Sequence, residues 1–156
     1  MLELPGQTAL SEFRLKKLLA SLQAQNEGVK SLDARYTYFV VFENPLSKEH
    51  RERLDGLLLS GDKPATLSKG ARKLYVVPRP GTISPWSSKA TDIAHACDID
   101  VVRIERGICY GLQLRGNVSD DDVQALGSLL YDRMTEALLG PGADAAALFA
   151  AHEPAP

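Results

Sequence analysis

Sliding the second half of the chain back by 72 positions lays strand-like runs on strand-like runs and helix-like runs on helix-like runs without a gap. Leu32 falls on Ile104, Tyr36 on Ile108, Tyr38 on Tyr110, Val40 on Leu112 and Phe42 on Leu114. The match continues into the next segment, where Leu46 meets Val118, Ser47 meets Ser119, Leu54 meets Leu126, and Leu57 and Leu58 meet Leu129 and Leu130. Strand register, cap and helix face agreeing at one offset argue for duplication, and a period this long is not that of a solenoid. Each half alone would leave a sheet face half covered, so pairing two of them buries both apolar faces. The expected fold is α+β: two related helix-strand-helix halves, about 9–61 and 72–139, in a pseudo-two-fold arrangement, with a mainly antiparallel sheet covered by helices.

Local signals fill in this frame. Ser11 suits the N-cap of a first helix with Leu15, Leu18, Leu19 and Leu22 on one face, ended by Gly28 as a C′ residue. Alternation from Leu32 to Phe42 reads as a strand broken by Asn44-Pro45, and Ser47 opens a second helix ending around Gly61. Leu74 to Val77 is a short strand that stops at Pro78-Arg79-Pro80-Gly81. Ser84-Pro85 supplies an N-cap and a proline at the first helical position for a helix bearing Ala90, Ile93, Ala94 and Cys97. In the strand from Val101 to Leu114, Gly107 and Gly111 lie opposite the apolar face, where a bulge or a close backbone neighbour is expected. Ser119 with Asp122 forms a capping box, Val118 and Val123 a staple, and the helix they start is expected to bury Val123, Leu126, Leu130, Met134 and Ala137. Residues 1–141 read as one domain, and the proline-rich end of 142–156 reads as the start of a linker.

Composition excludes several classes. At 156 residues, 44% hydrophobic and 24% charged with a net charge of -2, the chain is an ordinary globular type. It is neither disordered nor basic enough to expect a nucleic-acid partner. The longest apolar stretch, Ala145 to Ala151, is far short of the ~20 residues a membrane span needs, so no membrane partner is expected. Two cysteines in apolar settings and an N-terminus unlike a signal peptide imply a cytoplasmic location.

The run Pro78 to Asp92 holds the densest cluster of small polar and charged groups together with the lone tryptophan. A loop entering a helix N-terminus offers free N–H groups to an anion or a partner carboxylate, and Thr82, Ser84, Ser87, Ser88 and Lys89 could add donors. The Gly-Lys-Ser/Thr ending of a P-loop is missing, and the alternative is that these residues cap a helix packed by Trp86. Asp120, Asp121 and Asp122 suit the first turn of a helix better than a metal site. His50, His95 and His152 lack ligand spacing, and Cys97 and Cys109 read as small hydrophobes. Alternation puts Arg103 and Glu105 together on the strand face away from Ile104, as a surface pair or as a buried interface with another domain.

The run from Pro78 to Ala94, with Arg103-Ile104-Glu105-Arg106-Gly107 after it and Ala9-Leu10-Ser11 and Phe13-Arg14-Leu15 before it, resembles the N-terminus of the large single-chain phosphoribosylformylglycinamidine synthase (formylglycinamide ribonucleotide amidotransferase) family. The resemblance spans nearly the whole chain. It implies an ATP-dependent ligase of purine biosynthesis that converts formylglycinamide ribonucleotide to formylglycinamidine ribonucleotide with glutamine-derived ammonia. It also implies that this portion is non-catalytic, holds no cofactor, and is similar to a dimer of the small subunit of multi-subunit enzymes. ATP and magnesium would belong to the full enzyme. The implied role is to bridge the synthetase and glutaminase domains and help form the ammonia route. Arg79, Thr82, Ser84, Trp86, Ser87, Ser88, Lys89, Asp92, Arg103, Glu105 and Arg106 would then be inter-domain or channel contacts. A freestanding regulatory module, binding an anionic small molecule at the Gly81 to Lys89 loop, is the other reading.

Overall fold

The computed structural model describes residues 2–59, 63–67, 69–79, 83–116 and 118–139. The elements run β1 (Leu2–Thr8), α1 (Glu12–Gln25), β2 (Val29–Val41), α2 (Lys48–Leu59), β3 (Arg72–Pro78), α3 (Pro85–Ala96), β4 (Arg103–Leu114), α4 (Asp120–Gly127) and β5 (Glu136–Leu139). The strands form one antiparallel sheet in the order β1-β2-β4-β3-β5. The expected α+β class and antiparallel sheet are observed.

The long β2 and β4 form the centre, and their register carries the offset read from sequence. Tyr36 pairs with Ile108, 72 positions on. Exchanging the halves by that offset turns the Leu32–Leu112 pair into Val40–Ile104, which is also a pair of the ladder. The offset is not uniform, however. The N-caps Ser11 and Ser84 are 73 apart, and Leu4 and Leu74, which face Tyr38 and Tyr110, are 70 apart. A shift of two residues preserves which face a strand side chain occupies, so the outer strands slipped without turning over.

Even-numbered residues of the central strands face the helices. On one side Leu32, Ala34, Tyr110 and Leu112 pack with Leu22 of α1 and Val123 and Leu126 of α4. On the other, Tyr38, Val40 and Ile104 pack with Leu54 of α2 and Ala94 of α3. Each helix pair therefore contains one helix from each half, which ties the halves into a single core. The opposite face is partly covered by the α2–β3 connection: Ala65 donates to the Gly6 carbonyl, and the Ala65 carbonyl accepts from Arg35 Nη1 at 3.0 Å. Phe39 and Val77 are buried on that face across Gly107, where a Cβ would lie 2.8 Å from the Val76 carbonyl oxygen. The glycine marks a close neighbour, and the β2–β4 register runs past it without a bulge.

Three expectations are corrected. α1 is capped by Asn26, whose side chain accepts the Gly28 N–H at 2.8 Å; Gly28 is not among the left-handed glycines and serves close packing against Val118. α4 ends at Gly127, where a Cβ would clash with Leu138, and the chain then turns through Asp132, whose carboxylate accepts the Met134 N–H. Leu130 is buried as expected, but Met134 is 79% exposed and Ala137 lies in β5, which pairs the outer edge of β3. β1 has no counterpart in the sequence reading, because Pro5 and Gly6 obscure its alternation; an edge strand tolerates both. The linker expected at 142–156 lies outside the described residues.

Candidate functional site

Ser84 is held in extended backbone as the N-cap of α3, accepts the Ser87 N–H at 3.0 Å, and is followed by Pro85 at the first helical position. Its hydroxyl also donates to Glu105 Oε1 at 2.8 Å. Glu105 is 1% exposed, and its other oxygen accepts from Arg103 Nη2 at 2.8 Å, while the Arg106 N–H reaches Oε1 at 3.0 Å. Arg103 and Glu105 thus form a largely buried ion pair within this domain, not a surface pair. A buried carboxylate needs this many donors.

α3 also closes the free edge of β4. The β3 ladder extends along β4 only as far as Ile108, leaving Ile104 beside the helix instead of a strand. The Ile104 N–H donates to Thr91 Oγ1 at 3.1 Å, and its carbonyl accepts from the Ser87 hydroxyl. Two short side chains spaced one helical turn apart thereby satisfy an edge that would otherwise lack partners. Ser84, Ser87, Arg103 and Glu105 are accordingly engaged within the domain: they fix where α3 sits.

The outward-facing residues divide between two hollows. Trp86, Lys89 and Arg106 line a cleft of about 450 Å³ between α2 and α3, floored by Tyr38 and Ile104 and rimmed by Leu57 and Ile93. Trp86 stacks on Tyr38 with ring centroids 5.7 Å apart. The Arg106 guanidinium lies 4.4 Å from the Tyr36 ring centroid and 4.8 Å from that of Trp86, a cation held against two π faces. Burial raises the Tyr38 pKa, with Arg106 and then Gln7 pulling the other way, so the hydroxyl stays protonated and donates to Gln7 Oε1. Gln7 Nε2 in turn donates to the Leu58 carbonyl at 3.3 Å, and Arg53 Nη1 reaches the Cys97 carbonyl at 3.0 Å, so both ends of the α2–α3 pair are tied. Ser88 and Asp92 face away, into a hollow of about 410 Å³ shared with Ile83, Val102 and Arg103.

Arg79 lies apart: its N–H bonds the Thr135 carbonyl at 3.0 Å, and it lines neither hollow. Thr82 and Gly81 fall outside the described residues. Tyr36, Tyr38, Gln7, Leu57 and Ile93 were not singled out from sequence. The alternation that put Glu105 away from Ile104 also puts Arg106 on the same side as Ile104, among core side chains. A lone arginine on an apolar face beside Tyr36 and Tyr38 is the signal that points to the aromatic clamp.

Residues 35–149 match the family model for the formylglycinamide ribonucleotide amidotransferase N-terminal domain. The chain belongs to this family. Membership gives it a role in formylglycinamide ribonucleotide amidotransferase, an enzyme of purine biosynthesis. The matched span runs from Arg35 within β2 through β5, and takes in the α3 network and most of the cleft. It also makes the rest of such an enzyme the natural setting in which to read a helix whose inner side is fully engaged and whose outer side is not.

Proposed function

We propose that α3 and its flanking hollows form the face on which this domain meets the synthetase and glutaminase domains of the amidotransferase, bridging them and helping to form the ammonia route. The observation that carries the reading is the division of labour along α3. Ser84, Ser87 and Thr91 lock the helix to Glu105 and to the edge of β4, while Trp86, Lys89 and Arg106 present an aromatic and cationic cleft to the outside. Among the described residues no acidic side chain lines that cleft, and Ile93 on its rim is 45% exposed. A partly apolar surface whose Lys89 and Arg106 have no acidic partner among the described residues suits a partner domain with acidic groups.

The two halves then act as an internal pair, each contributing one helix to each side of the core. Among the described residues no three His, Cys, Asp or Glu side chains converge to hold a metal ion. In this reading ATP, magnesium and glutamine chemistry belong to the remainder of the enzyme, and this domain is non-catalytic. The anion-binding module is less favoured, since the buried Glu105 carboxylate already sits at the α3 N-terminus and competes for the positive end of the helix dipole. Mixing this chain with separately expressed synthetase-plus-glutaminase domains should give a complex on size exclusion. Persistent separation of the two at micromolar concentrations would count against the bridging role.

A further inference from the structure

Exchanging the halves maps the α2–α3 cleft onto a second one, between α1 and the turn that follows α4, that shares no residue with it. Tyr38 becomes Tyr110, Leu57 and Leu58 become Leu129 and Leu130, and Trp86, two residues after the cap Ser84, becomes Phe13, two residues after the cap Ser11. The volumes agree, at about 450 and 440 Å³. The two differ in how they are closed. Trp86 is covered by Tyr38 and Arg106, whereas the position matching Arg106 is Ala34 and Phe13 is 76% exposed beside a Leu129 that is 42% exposed. The polar groups of this second cleft are donors. Arg14 and Lys17 have no acidic partner among the described residues. Tyr110 is 4% exposed, and its hydroxyl has no hydrogen-bond partner among them either.

We propose that this cleft beside α1 is a second docking surface, which takes an acidic protein segment carrying a leucine or aromatic side chain. The carboxylates meet Arg14, Lys17 and the Tyr110 hydroxyl, and the apolar side chain covers Phe13 and Leu129. A protein segment fits better than a free small anion because Phe13 and Leu129 lie on the rim, where a small anion would leave them wet. The surface goes beyond the α3 reading, and either can fail without the other.

The test is photo-crosslinking in the full-length amidotransferase polypeptide with Phe13→p-benzoyl-phenylalanine. Mass spectrometry should locate the crosslink on a segment outside residues 1–156 with clustered Asp or Glu beside Leu or Phe. The double change Arg14→Glu, Lys17→Glu should cut its yield about tenfold, whereas Arg14→Lys, Lys17→Arg should keep it, with unchanged melting in both cases. Crosslinks confined to residues 1–156, a target without acids, or indifference to charge reversal would each overturn the proposal. So would saturable displacement by citrate at matched ionic strength, which would give the cleft to a small anion.

Discussion

Glu105 shows how a single side chain can serve both fold and site. Its carboxylate accepts from Ser84, Arg103 and the Arg106 N–H while almost wholly buried. Glu105→Ala should therefore cost about 3 kcal/mol in urea denaturation, because Arg103 and Ser84 lose their acceptor without gaining water; a loss under 1 kcal/mol would mean that the network is dispensable. Tyr110 allows a test by pH. Burial pushes its pKa from 10.0 up to about 12, with Glu136 adding and Arg14 opposing. The folded state thus holds the proton that the unfolded chain releases, so this contribution is complete below pH 10 and is lost as pH rises toward 12. Stability should fall across that window, and Tyr110→Phe should fall less steeply in the same titration; equal slopes would contradict the assignment. Residue alternation made the placement of Glu105, Arg106 and Gly107 legible from sequence. What Arg106 touches was not legible, because its aromatic neighbours come from β2 and α3, far away in the chain.

At the scale of elements, caps were the most readable feature. Ser11, Ser84 and Ser119 all cap the helices assigned to them, since a cap is made within four residues and needs no tertiary partner. β1 and β5 were hidden for the opposite reason: a short edge strand exists because a neighbouring strand has free backbone groups, and that neighbour is distant in sequence. The apolar spacing that seemed to extend α4 to Ala137 is the same accident seen from the other side, with Leu138 occupying the space beside Gly127. Caps also separate local from tertiary energetics. Ser119→Ala should cost about 1 kcal/mol, the usual loss for a cap. Ser84→Ala should cost about 2 kcal/mol, because it also removes a hydrogen bond to the buried Glu105. Equal losses in parallel thermal melts would mean that the Ser84–Glu105 bond adds nothing.

The described residues form a sheet with their helices on one face, arranged so that each helix pair joins the halves and has a cleft beside it. The 72-residue offset is carried by the β2–β4 register, where Tyr36 pairs with Ile108. It could not show that one cleft is closed by Trp86 and Arg106 while the other leaves Phe13 in water, because that difference lies in single side chains meeting across elements. Coupling of this domain to the rest of the amidotransferase through the α3 face is tested by the ratio of glutamine-supported to ammonia-supported synthesis in the full-length enzyme carrying Lys89→Glu, a change at the cleft that leaves the Ser84–Glu105 network intact. Coupling through this face requires glutamine-supported turnover to drop about tenfold while ammonia-supported turnover stays within about twofold of the parent. An unchanged ratio, whether both rates hold or both fall together, would contradict it.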